Sequence, residues 1–242
     1  MNNLVLNFAH RGSLTEAPEN TLPAMQKALD HNIRGIELDV QLTRDNKLVV
    51  IHDQELARFN KMFPGYVKDY TLKEIKQIDI GSSFSEEFTG VSLATLDEIL
   101  EILPENILLN VEIKNIPIVY KGIEQAVTDC LKNHKFEDRV IVSSFDHEAL
   151  KNFQELNPDI PIGLLFYYRL LKPWEYARYC GLDIYSIHPM QNWTDRKLIE
   201  ECHSLGYKVF PYTVNSESRY EQLLDYGVDG VFSNNPDIFT KL

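Results

Sequence analysis

The run Gly35-Ile36-Glu37-Leu38-Asp39-Val40 places two carboxylates one residue apart inside an otherwise aliphatic stretch. In extended backbone, successive side chains point to opposite faces. Glu37 and Asp39 therefore share one face, and Ile36, Leu38 and Val40 share the other. Two adjacent carboxylates on a buried face repel each other and lose hydration, and a cation between them removes both penalties. A solvated edge strand is the alternative, but the β-branched character of the opposite face speaks against it. The run is read as a strand of a closed parallel sheet, acids inward and aliphatics against helices.

The next strong β run repeats the pattern. In Leu108-Leu109-Asn110-Val111-Glu112-Ile113-Lys114, the residues Asn110, Glu112 and Lys114 share a face opposite Leu109, Val111 and Ile113. Glu37, Asp39 and Glu112 would form an oxygen-only site suited to one divalent cation, Mg²⁺ or Ca²⁺. Lys114 adds a fixed positive charge beside it and is read as a phosphate ligand.

Further out, β-rich runs at residues 4–9, 140–145, 162–166, 184–188, 208–214 and 230–233 join 35–42 and 108–114 to make eight strands. They alternate with amphipathic stretches at 21–31, 96–103, 118–132, 147–156, 195–205 and 217–225. That alternation predicts an α/β fold, a (β/α)₈ TIM barrel, in a single domain covering 1–242. An open doubly wound sheet is the runner-up, but no glycine-rich dinucleotide turn follows the first strand. Residues 53–95, with only one clear helical stretch near 72–78, are read as a small insertion or cap after the second strand.

Composition is that of an ordinary globular protein: 242 residues, 44% hydrophobic, 25% charged, formal charge −12. That charge argues against a nucleic-acid partner, and no apolar run is long enough for an integral membrane segment. An anionic substrate would need a local cation to offset the acidity. The three cysteines show no metal or disulfide spacing, and the N-terminus lacks a leader-like pattern, so a cytoplasmic location is expected. A homo-oligomer is neither required nor excluded.

Two histidines complete the constellation. His10-Arg11-Gly12 closes the first strand, at the barrel end where active sites are built. His52 closes 47–53, after the strand carrying Glu37 and Asp39. Histidines flanking a carboxylate-bound cation can cleave a phosphodiester, one taking a proton from the attacking hydroxyl and one giving a proton to the leaving alkoxide. An unperturbed imidazole suits both roles near neutrality, and Arg11 offers a fork for phosphoryl oxygens. The other histidines, His31, His134, His147, His188 and His203, are assigned mostly to surfaces or loops.

With these residues in place, the chain resembles the glycerophosphodiester phosphodiesterase family. The resemblance runs through His10-Arg11-Gly12, Pro18-Glu19-Asn20-Thr21, Glu37-Leu38-Asp39, Thr43-Arg44-Asp45, His52-Asp53, Glu112-Ile113-Lys114, Tyr212-Thr213-Val214-Asn215 and Gly227-Val228-Asp229-Gly230. It implies a TIM-barrel hydrolase of glycerol and lipid metabolism. Its substrates would be small glycerophosphodiesters such as glycerophosphocholine or glycerophosphoethanolamine. His10 and His52 would be acid and base; Glu37, Asp39 and Glu112 metal ligands; Arg11 and Lys114 phosphate ligands. Tyr212 stands where the family often has tryptophan, as a substrate-pocket residue. Ser233-Asn234-Asn235-Pro236 departs from a common Thr-Asp-x-Pro and removes an acid near the rim. Two other readings stay open. One is a lysophospholipase D-like enzyme with an apolar channel supplied by Phe59, Met62, Phe63, Tyr66, Phe84 and Phe88 of the insertion, unless these form its own small core. The other is a non-catalytic phosphodiester binder.

Overall fold

The computed structural model describes residues 5–31 and 33–239. Leu4, expected to open the first strand, lies outside them, as do the ends of the expected 1–242 domain. Strands run β1 (Leu6–His10), β2 (Gly35–Leu42), β3 (Leu48–Val50), β4 (Leu108–Ile113), β5 (Val140–Ser144), β6 (Ile162–Phe166), β7 (Ser186–Pro189), β8 (Lys208–Val209) and β9 (Gly230–Ser233). Their order is β8-β7-β6-β5-β4-β2-β1-β9, parallel throughout. β3 is the exception, folding back antiparallel on the end of β2. The last gap is bridged by hydrogen bonds from Asp229 N to Val209 O (3.3 Å), Phe232 N to Pro211 O (3.0 Å) and Val214 N to Phe232 O (2.8 Å). Eight parallel strands thus form a nearly closed barrel, as the alternation predicts.

β2 is buried along its whole length, because both of its faces are covered. Ile36, Leu38 and Val40 pack outward against the helices, in one apolar layer with Met25, Leu96 and Val127. Inside, Phe8, Ile141, Phe210 and Phe232 plug the barrel floor, with Phe8 and Phe232 ring centroids 4.8 Å apart. The polar end of the barrel is therefore the other one, where the strands finish.

The helices are α1 (Leu22–Leu29), α2 (Leu72–Ile75), α3 (Leu96–Ile102), α4 (Ile123–Asn133), α5 (His147–Leu156), α6 (Pro173–Tyr179), α7 (Arg196–Ser204) and α8 (Glu217–Asp225). Thr21, Thr95, Asp146 and Asp195 each cap a helix by accepting a backbone N–H, which satisfies a donor the first turn leaves unpaired. α6 was not expected from sequence. Its seven residues, three of them aromatic, carry little helical periodicity. The strand expected over 208–214 ends at Val209, because Pro211 has no N–H to give the ladder.

Residues 53–95 form α2 and three 3₁₀ turns, Leu56–Arg58, Val67–Asp69 and Glu86–Phe88. Ile51, Leu56, Val67, Ile75, Ile78 and Ile80 make a separate apolar cluster, joined by Phe59 and Phe63. These two phenylalanines thus serve the insertion's own core. Phe88 packs on Ala17 and Ala24, and Met62 is 85% exposed. Neither cavity at the barrel mouth is lined by residues 54–95, so of the two roles left open for these aromatics, neither cavity provides the channel. Among the described residues no helix is long and apolar enough to cross a membrane.

Candidate active site

β2 and β4 are parallel neighbours, and their register pairs Asp39 with Glu112 and Glu37 with Asn110. That register brings the three acids together: one oxygen from each of Glu37, Asp39 and Glu112 lies within 4.8 Å of the others. All three side chains are buried. Lys114 Nζ lies 2.7 Å from Glu112 Oε1 and 3.7 Å from Asp39 Oδ1. Arg11 Nε lies 3.3 Å from Asp39 Oδ2. Asn20 donates to that same oxygen at 3.0 Å.

Three carboxylates thus face two cations. Burial would raise Asp39, but Lys114 and Arg11 overcome it and hold its carboxyl at about 2. Glu37 has no cationic side chain in hydrogen-bond contact, only the Arg11 backbone N–H at 3.1 Å. Burial, then Asp39 and Glu112, push its carboxyl well above the usual range. Burial also raises Glu112, against the pull of Lys114. Asp39 Oδ1 is buried without a hydrogen-bond partner. A charge deficit, an orphaned oxygen and an oxygen-only donor set fit a hard divalent cation held by Glu37, Asp39 and Glu112.

Both histidines line one cavity with Glu37 and Glu112. His10 Nε2 is 3.8 Å from Glu37 Oε2, and Nδ1 pairs with Asn234 Oδ1 at 2.6 Å. Since the amide oxygen only accepts, the proton sits on Nδ1 and Nε2 presents a lone pair. Burial, and then Arg11, lower His10 to about 3. The expectation of an unperturbed His10 imidazole is therefore corrected: this ring is neutral at physiological pH. His52 Nδ1 pairs with Asp53 Oδ1 at 2.7 Å. Asp53 Oδ2 accepts from Arg58 at 2.8 Å, Arg58 also donates to Glu19 at 2.8 Å, and Glu19 accepts from Arg11 at 3.3 Å. This chain of alternating charge links His52 to Arg11 beside Asp39. Removing one link should loosen the ring it orients: Asp53→Asn is expected to lower kcat about tenfold or more with little change in thermal midpoint, as measured by steady-state kinetics beside calorimetry.

His10, Arg11, Glu37, His52, Glu112 and Tyr212 line one cavity of about 250 Å³, with Asp39 buried behind it and Lys114 opening on an adjoining cavity. Tyr212 forms wall there, its hydroxyl donating to Phe166 O at 3.0 Å and its ring edge-on to Phe145. The turn beneath the site depends on Gly12. Its φ is +87°, and a Cβ there would lie 2.6 Å from the Ala24 backbone. Gly12→Ala should therefore cost roughly 2–4 kcal/mol of stability in denaturant unfolding.

Several residues at the site carried no functional assignment in the sequence. Thr21 caps α1, accepting from Ala24 N. Asn20 takes a φ of +58° and turns to Asp39. Asn234, noted only as replacing an acid, holds His10. His188 lies not on a surface but wholly inside the barrel on β7, its Nε2 2.8 Å from Ser186 Oγ. Room for its ring comes from Gly163, where a Cβ would meet Nε2 at 2.5 Å. The alternation Ser186-Ile187-His188 is the signal that could have found it. Asp53 and Glu19 stood inside quoted motifs without a role of their own, and Arg58 had no signal, since its pairing with Glu19 spans 39 positions.

A TIM barrel whose strand ends gather buried carboxylates, histidines and two cationic side chains has the architecture of a hydrolase active site. The chain belongs to the Glycerophosphoryl diester phosphodiesterase family, whose model matches residues 10–238. It is 40% identical over 238 residues to a glycerophosphodiester phosphodiesterase of Caldanaerobacter subterraneus subsp. tengcongensis, covering 98% of this chain and 97% of the relative. A glycerophosphodiester phosphodiesterase of Bacillus altitudinis is 38% identical, covering 97% and 96%. Among solved structures, a phosphodiesterase of Oleispira antarctica in complex with the product sn-glycerol-3-phosphate superposes with a TM-score of 0.87 at 33% identity, covering 96% and 94%.

Proposed function

We propose that this chain hydrolyses glycerophosphodiesters, such as glycerophosphocholine or glycerophosphoethanolamine, to sn-glycerol 3-phosphate and an alcohol. The observation that carries the reading is the meeting of three buried carboxylates with two differently held histidines at one cavity. The product bound by the Oleispira antarctica phosphodiesterase supports the substrate class. Glu37, Asp39 and Glu112 would hold Mg²⁺ or Ca²⁺, which when bound supplies Lewis-acid stabilisation to the phosphoryl oxygens. Arg11 and Lys114 add fixed positive charge for the phosphate.

His10, neutral and with a lone pair on Nε2, accepts the proton of the attacking hydroxyl. His52, held by the Asp53 carboxylate, gives a proton to the leaving alkoxide. The three cysteines are free thiols, which supports a reducing, cytoplasmic location.

A second reading is favoured by the adjoining cavity of about 670 Å³. It opens beside Glu112 and Lys114 and is walled by Ile113, Ile116, Phe145, Leu165, Phe166 and Tyr176. This apolar wall suits substrates with an acyl chain, as in lysophosphatidylcholine. The test is product release over a panel of diesters after EDTA treatment and re-addition of each metal, with choline release read for the lysolipid. Glycerol 3-phosphate should appear only with metal present. Turnover that survives metal removal would contradict the carboxylate role, and binding without turnover would make the chain a phosphodiester binder.

A further inference from the structure

Away from the barrel mouth, on the outer surface where α3 and α4 approach each other, lies a second group of ligand-type side chains. Cys130 and His134 are four residues apart on α4 and at its cap, so they project from one helical face. Asp97, in the first turn of α3, reaches across to both. A sulfur, a ring nitrogen and a carboxylate oxygen from the three all lie within 4.8 Å of one another. His134 Nε2 is 2.9 Å from Asp97 Oδ1, and the Cys130 sulfur lies within 4.8 Å of both ligand atoms. One carboxylate thus meets a ring nitrogen and a thiol, whose protons a cation could replace.

We propose that Asp97, Cys130 and His134 form a second metal site, selective for Zn²⁺ over Mg²⁺ and Ca²⁺, which clips α3 to α4. Thiolate and imidazole are ligands zinc favours, whereas hard cations take all-oxygen sets such as the one in the barrel. The set is also mixed in depth. Cys130 is 7% exposed, while Asp97 and His134 are open enough to admit an ion. A cavity of about 550 Å³, lined in part by Lys121, Gln125, Asp129 and Asn133, adjoins the trio. It gives an entry path and room for water as a fourth ligand. Burial, then Asp97, pushes the Cys130 thiol up to about 12, which sets aside a nucleophilic role. Ligation is unaffected in kind, because the incoming cation itself displaces the proton. Without a metal, the trio would be only a hydrogen-bonded contact between two helices.

The two cases separate by titrating the full chain with Co²⁺ in excess Mg²⁺ and then displacing it with Zn²⁺. One Co²⁺ per chain should give a thiolate-to-cobalt charge-transfer band that stoichiometric Zn²⁺ removes. Cys130→Ser should abolish the band and weaken Zn²⁺ at least tenfold. Asp97→Asn, at an exposed position that spares the fold, should also weaken Zn²⁺ severalfold. Cys180→Ser and Glu112→Gln should leave both the band and the affinity in place, separating this site from the other thiols and from the barrel carboxylates. Zn²⁺ at a hundredfold its Kd should raise the thermal midpoint of the wild type by roughly 5–10 °C, and that of Cys130→Ser not at all. A missing band, or one that persists in Cys130→Ser, overturns the proposal.

Discussion

His10→Ala is expected to lower kcat for glycerophosphodiester hydrolysis by about 10²–10⁴-fold, with KM changed only a fewfold. The imidazole is held by Asn234 on Nδ1, leaving Nε2 the only free proton acceptor on the ring. Its neutral form needs no help from pH, since burial and Arg11 have lowered it to about 3. Truncation removes that acceptor and leaves Arg11 and Lys114 in place, so binding survives while proton transfer fails. The contrasting change, Arg11→Ala, should act mainly on KM. Acid stability gives an independent reading. Between 6.5 and about 3 the unfolded chain protonates this histidine and the folded chain does not. The unfolded state therefore binds more protons in that window, and stability falls as pH drops through it. His10→Ala should remove part of that fall. A kcat within tenfold of wild type would end the assignment of His10 as proton acceptor.

The contrast between His10 and His188 shows what the sequence could carry. Both lie on inward-facing strand positions, and both are lowered to about 3, His188 by burial and His10 by burial and then Arg11. His10 was legible because it closes a strand beside an arginine and a glycine whose roles are local. For His188 the alternation with Ser186 marks only the inward face; the rest of its surroundings, Gly163 on β6 and the rings of Phe210 and Phe232, lie far off in sequence. The same division holds across the site. Glu37, Asp39 and Glu112 were read from two-residue alternation, and the β2–β4 register brings them within reach of a single ion.

The supports around them depend on long-range geometry. Arg58 reaches Glu19 across 39 positions, and Asn234 reaches His10 across 224. Period-two and period-3.6 patterns report which face a residue occupies, never which distant loop will fold over it. For the same reason strands β2, β6 and β9 match their expected limits, while the 208–214 strand and α6 do not. In the first group no proline interrupts the β-forming run; in the second, proline and aromatics break the pattern.

Removing divalent metal should abolish turnover, by about 10³-fold or more, and should also change how stability responds to pH. Burial and the neighbouring carboxylates raise Glu37 well above the usual range, and Glu112 is raised as well. Above 4.5 the unfolded chain has released these protons, while the metal-free fold still keeps some. The folded state then binds more protons, so this contribution weakens stability as pH rises through the raised values. A bound cation competes with those protons and offsets the repulsion among the three carboxylates. The increase in thermal midpoint on adding Mg²⁺ or Ca²⁺ should accordingly be larger at pH 8 than at pH 5. Glu37→Gln separates the two effects, since it removes both a ligand and the most strained charge. Without metal at pH 8, this variant should melt above the metal-free wild type, and it should show neither a midpoint increase with metal nor turnover. A metal response equal at both pH values, or retained by Glu37→Gln, would mean that the cation does not sit among these carboxylates.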